Sequence, residues 1–108
     1  MSNETNSGIV LTTVGSKTQA NLVIEALLTK KLAACIQVLP IESHYVWEGK
    51  ICNDEELLLV IKTTKVLYNA VEETICEKHE YDVPQIVQVS ISDGFNPYLS
   101  WIEQVTAK

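Results

Sequence analysis

The sequence predicts an α+β domain, a four-stranded sheet carrying two crossover helices and closed by a third helix, on three observations. Its apolar runs switch between strand and helix periods, they follow the order β-α-β-β-α-β-α, and the two middle strands are long enough to form an extended hairpin. With 108 residues, 46% of them apolar, the chain builds one hydrophobic core without metal or disulfide staples. Residues 1–8 read as a polar tail and residues 9–106 as the single domain.

Ile9 to Val14 is a β-branched run closed by Gly15, the mark of a buried strand. Ser16 followed by Gln19 has capping-box spacing, and Ala20, Val23, Ile24, Leu27 and Leu28 then recur on one helical face up to Lys30 and Lys31. From about Ala33 to Trp47 the residues are of β type, with Pro40 marking a bulge or kink. Glu48-Gly49-Lys50 is a turn, and Ile51 to Thr63 returns with Leu57, Leu59 and Ile61 on one face and Leu58 and Val60 on the other. Thr64 caps a second helix with a stripe of Leu67, Ala70, Val71 and Ile75, while Glu72, Glu73 and Glu77 face water. Pro84 keeps Val83 out of helix, so Tyr81 to Pro84 is a loop and Gln85 to Ile91 the fourth strand. Asn96-Pro97 starts the last helix, with Tyr98, Trp101, Ile102 and Val105 apolar. This is the split βαβ, or ferredoxin-like, arrangement with an added C-terminal helix.

The hairpin is too long for its domain. Arms of about 13 to 15 residues span roughly 45 Å, whereas a globule of this length is roughly 35 Å across. A ribbon carrying Tyr45, Val46, Trp47 and Ile51 beyond the core exposes apolar surface and strand edges, which pairing with further copies of the chain would cover. The alternative is a hairpin broken at Pro40 and Asn53 and folded back over the core.

Fourteen acidic residues against eight basic give a net charge of −6, and no cluster of Lys and Arg reverses it locally, so nucleic acid is not an expected partner. The longest apolar run, Leu57 to Ile61, is far shorter than the about 20 residues that cross a bilayer. No membrane association is expected, and the first eight residues lack the basic and apolar regions of a secretory signal, which points to the cytoplasm. Cys35, Cys52 and Cys76 make neither a C-x-x-C pair nor an even set, which fits buried packing in a reducing compartment.

Four ordered segments, Lys30 to Cys35, Tyr45 to Lys50, Leu59 to Thr64 and Tyr98 to Trp101, resemble the CutA divalent-cation-tolerance proteins, as does the stretch His79 to Gln85, set against that family's His-Pro-Tyr-x-x-Pro-Glu motif. The likeness runs from Gly8 to Val105. It implies a ferredoxin-like subunit in a tight homotrimer, similar in build to PII-type signal proteins, with a non-enzymatic role in divalent-metal tolerance and copper binding in some members. No obligatory cofactor is implied, only a weakly bound divalent metal such as copper. Where a bacterial relative's pattern has a cysteine this chain has Thr12, and where that pattern pairs two histidines this one has Lys78 before His79. His79 is thus the retained metal ligand candidate, with an imidazolium at a helix C-terminus as its simpler reading.

His44 is expected opposite Asp54 across the hairpin, and Asn53 to Glu56 reads as a solvated acidic edge. Trp47, Lys62, Tyr81 and Trp101 are the candidates for a cleft between subunits that receives a small anion or metabolite, packing at the subunit contact being the competing account for the tryptophans. That cleft motivates an alternative role as a PII-like small-molecule sensor or interaction scaffold. No nucleophile with a partnered base and no phosphate loop is present in the sequence, so an enzyme is not expected.

Overall fold

Glu48 and Gly49 both take positive φ, at 51° and 76°, which is the backbone of a two-residue hairpin turn whose twist matches the strands it joins. From that turn β2 (Cys35–Trp47) and β3 (Lys50–Thr64) pair without interruption, from Trp47 opposite Lys50 to Cys35 opposite Lys62. A computed structural model describes residues 5–107. In it β3 also pairs antiparallel with β1 (Ser7–Val14), and β1 with β4 (Ile86–Ser90), giving the sheet order β2-β3-β1-β4. With α1 (Lys17–Thr29) after the first strand and α2 (Tyr68–Lys78) after the third, this is the ferredoxin-like arrangement, and α3 (Asn96–Thr106) follows it.

No bulge forms at Pro40, contrary to expectation. Hydrogen-bonded and non-hydrogen-bonded pairs alternate along an antiparallel ladder. Counted from the turn, the Pro40–Leu57 pair is of the second kind, so the missing N–H faces the outer edge of an edge strand, where it takes nothing from the ladder. The break at Asn53 that the alternative reading required is also absent, and the long hairpin is continuous. The unbroken ribbon lengthens the molecule to 43 × 32 × 22 Å, with a radius of gyration of 14.6 Å, against about 13 Å for a compact globule of this size.

One face of the sheet is sealed by α1 and α2. Val10, Val14, Leu59 and Ile61 point to it and meet Ala20, Val23 and Leu27 of α1 and Val71 and Ile75 of α2, all buried. Burial of each large aliphatic contributes about 1.5–3 kcal/mol. Ser16 caps α1 by accepting from the Gln19 amide at 3.1 Å. The reciprocal half of the expected capping box is not made, because the buried Gln19 side chain instead donates to the Lys78 carbonyl and ties the start of α1 to the end of α2. Leu28 falls outside the stripe, and Ala70 is exposed.

Other boundaries shift for local reasons. Thr64 makes no side-chain cap, since a 3-10 turn, Lys65–Leu67, intervenes before α2. The cap residue of α3 is Phe95, one position before the expected Asn96. Of the expected tail, residues 1–4 lie outside the described ones, while Ser7 and Gly8 already belong to β1. Thr5 donates to the Ile91 carbonyl at 3.2 Å, and the Asn6 carbonyl accepts from Lys65 N at 2.8 Å.

Thr12 sits on the sealed face, fully buried, and its hydroxyl has no hydrogen-bond partner among the described residues. Thr12→Val should therefore raise stability by about 1 kcal/mol, by removing an unsatisfied polar group at constant volume. Ile61→Ala should cost about 3 kcal/mol by opening a cavity. Urea midpoints at constant m-value measure both.

Candidate functional site: a phenol–carboxylate cleft beside the hairpin

The face of the sheet away from α1 and α2 is only partly covered. α3 lays Ile102 against it, but Leu39, Val87 and Val89 remain 49%, 46% and 49% exposed. Where the hairpin leaves the core, this face bends into a cleft of about 480 Å³ walled by Tyr45, Trp47, Asp54 and Glu56 from the ribbon and by Tyr81 and Val83 from the loop after α2.

The two-residue turn decides who meets whom there. The ladder stands one residue out of the register expected from a turn centred on Gly49, and such a slip exchanges faces. His44 therefore lies opposite Asn53 rather than Asp54, Cys52 opposite Tyr45 rather than Val46, and Cys35 opposite Lys62 rather than Thr63. Tyr45 and Asp54 become diagonal neighbours on the open face, and the Tyr45 hydroxyl donates to Asp54 Oδ2. Glu56, two residues on, shares that face and accepts from the Tyr81 hydroxyl at 2.8 Å. His44 instead turns to Glu42, with Nε2 at 3.3 Å from Oε1.

Both phenols are pushed up from the ordinary 10.0 to about 12. For Tyr45 the hydrogen bond to Asp54 is the main cause, and for Tyr81 burial leads, followed by the bond to Glu56. An ionised phenolate would lose that bond and face a carboxylate.

His79 fixes the loop that carries Tyr81. Its Nε2 lies 2.7 Å from the Thr13 carbonyl oxygen, so that nitrogen carries the proton, and its Nδ1 accepts from Tyr81 N at 3.1 Å. The ring also leans on Tyr81, with centroids 4.7 Å apart. With both ring nitrogens engaged in this way, His79 acts as a clamp between β1 and the loop. Thr12, buried on the opposite face, does not reach it. Among the described residues no group of three or more His, Cys, Asp or Glu converges on one point. Cys35 and Cys52 are half-buried, and Cys76, expected inside, is exposed.

The expected cleft residues divide into two groups. Trp47 and Tyr81 line the acidic cleft. Lys62 stands six residues along β3 from Glu56, about 20 Å away. Its Nζ donates to Gln37 Oε1 at 2.9 Å and to the Tyr98 hydroxyl at 3.4 Å, and Tyr98 stacks on Trp101 with centroids 5.7 Å apart. Nζ is also 5.7 Å from the Tyr98 ring centre, a position beyond the hydroxyl rather than over the ring face. Within one chain these two groups do not share a small ligand. The phenol–carboxylate pairs were not anticipated; the signal for Tyr45 with Asp54 was the turn itself, whereas nothing in the local sequence brings Tyr81 to Glu56.

A four-stranded ferredoxin-like sheet with a projecting ribbon and a third helix defines a class of small α+β proteins, and comparison identifies the family within it. Residues 8–105 match the model of the CutA1 divalent ion tolerance protein family, and the chain belongs to that family. It is 40% identical over 99 residues to the chloroplastic CutA 1 protein of rice (Oryza sativa subsp. japonica), covering 91% of this chain and 56% of that protein. Over 99 residues it is 38% identical to the divalent-cation tolerance protein CutA of Thermus thermophilus, covering 91% of this chain and 96% of the relative. The crystal structure of rice CutA1 superposes with a TM-score of 0.91 at 39% identity, covering 99% of each chain. The chain thus spans little more than half the length of the plant relatives, 56% of the rice protein and 54% of the one from Arabidopsis thaliana.

Alkaline titration followed by phenolate absorbance should show Tyr45 and Tyr81 ionising near pH 12. Because their folded pKa values lie above the unfolded 10.0, the stability from these two phenol–carboxylate bonds is full below pH 10.0 and drains away as pH rises towards 12. Tyr81→Phe should delete one late-titrating phenol and make the alkaline loss of stability shallower.

Proposed function

We propose that this CutA-family chain works as a non-enzymatic homotrimer in tolerance of divalent metal ions, with copper bound weakly at contacts between copies. The observation that carries the self-association is the open sheet face together with its ribbon. Leu39, Val87 and Val89 are exposed beside Tyr98, Trp101 and Val105, each more than a third exposed, and the ribbon adds Val46 at 71% and Ile51 at 86%. A monomer that leaves apolar side chains exposed on the open face and on both sides of the ribbon, with the long outer edge of β2 in water, invites aggregation. Closed rotational symmetry covers both. The metal role is supported by the family and by the surplus of fourteen acidic over eight basic residues. A cytoplasmic setting is part of the proposal, supported by three cysteines that stay unpaired.

Light scattering at micromolar concentration should return three times the 12.1 kDa chain mass. A monomer would end the proposal. Calorimetric titration with copper should give the same heat for the parent and for His79→Ala, because both ring nitrogens are already engaged. The variant should lose about 1–2 kcal/mol of stability from the released loop. A copper heat that disappears with His79 would restore the imidazole as a ligand.

A further inference from the structure

The loop between β4 and α3 carries the makings of a reaction that uses only its own atoms and water. It leaves the sheet where Ser90 pairs with Gly8 and Gly8 with Thr63, at the end remote from the hairpin turn. In this loop Asp93 precedes Gly94, and the Gly94 N–H donates to Asp93 Oδ1 at 2.9 Å. That oxygen is bonded to Cγ, so the hydrogen bond rests the backbone nitrogen close to the carbon it would attack. Gly94 has no Cβ to shield its nitrogen. Both residues lie outside helix and strand, where a turn of the carboxyl about Cβ–Cγ presents its face to the nitrogen. The other two aspartates lack this arrangement. Asp54 lies within β3, receives the Tyr45 hydroxyl and is followed by Glu55, and Asp82 is followed by the β-branched Val83.

We infer that Asp93-Gly94 is a self-modification site, at which the main chain isomerises to isoaspartate. Gly94 N attacks Cγ of the neutral Asp93 carboxyl, the N–Cγ bond forms, and the amide proton and the carboxyl's hydroxyl leave as water, which closes a succinimide. A water molecule then adds to one of the two ring carbonyls. Addition at the side-chain carbonyl breaks the new N–Cγ bond and restores aspartate. Addition at the main-chain carbonyl breaks the original peptide bond and leaves isoaspartate, its chain running through Cβ and Cγ. One water is released and one consumed, and nothing is oxidised or reduced. Water is the only outside reactant, so the step does not depend on an open surface. The product carries an extra methylene in its backbone just before α3, whose cap residue Phe95 makes no side-chain cap bond. Leu99 Cδ2 lies 3.2 Å from where a Gly94 Cβ would sit, so a longer backbone there pushes on the first turn of α3. This inference is independent of copper binding between copies.

Prolonged incubation of the full chain in mildly acidic buffer tests it. Isoaspartate is read by methyl transfer from S-adenosylmethionine with an isoaspartyl methyltransferase and placed in the sequence by electron-transfer fragmentation. The expected result is isoaspartate at Asp93 forming at least about tenfold faster than at Asp54 or Asp82, and no more slowly than in a synthetic peptide spanning Ser92 to Pro97. Gly94→Ala should slow it at least about tenfold, because the added methyl shields the nitrogen. Circular dichroism confirms that this variant keeps the parent's fold, since its methyl also meets Leu99. Accumulation at Asp93 no faster than at Asp54 and Asp82 overturns the inference. So does a rate in the folded chain below that of the peptide, and neither reading needs a variant.

Discussion

Register in the hairpin is the constraint on which the rest of this molecule depends. Glu48 and Gly49 turn the chain in two residues, both in the left-handed region, and every pair from Trp47–Lys50 to Cys35–Lys62 follows from that choice. Because side chains alternate across a strand, the register sends Leu59 and Ile61 to the helices. Tyr45, Asp54 and Glu56 go to the other side. A slip of one residue would bury the acidic side chains and expose the core, so the hydrophobic energy of the sealed face also guards the geometry of the open one.

The two faces divide the work. The helix-covered face supplies the cooperative core, with Val23, Leu27, Val71 and Ile75 closing over the central strands. Its two helices are also joined directly, through the buried Gln19 side chain and the Lys78 carbonyl. The open face is incompletely covered by α3, and its apolar residues lie next to polar pairs that are fully formed without any partner molecule. The His79 clamp sits at the seam, bonded to the Thr13 carbonyl near the end of β1 on one side and to the Tyr81 amide on the other. An element of the core thereby positions a residue of the cleft.

The order of elements was legible because each carries a strong local signal: a β-branched run before Gly15, a helical stripe from Ala20 to Leu27, a second stripe through Val71 and Ile75, and alternation after Pro84. Boundaries were read less well where a local rule had a competitor. Thr64 has the chemistry of a cap, yet the ladder with Ser7 keeps it in the strand. Gln19 has the position for a capping box, yet a buried carbonyl on another helix claims its amide. The cleft was legible only in its ingredients. Trp47 and Tyr81 line it, Lys62 stands about 20 Å along β3, and the pairing of Tyr81 with Glu56 depends on a loop whose path no local periodicity encodes.

Pro40 acquires a meaning from its place in the ladder. Its nitrogen faces outward from β2, so the unprotected edge of the sheet lacks one donor about midway along its thirteen residues. A foreign strand that docks along this edge finds a continuous row of bonding groups on either side of the gap, but not through it. A strand that pairs only with the portion beyond Pro40 keeps every bond, while one that runs the whole edge forfeits one. A single imino acid thus makes the longest open edge of the sheet a poorer template for a foreign strand.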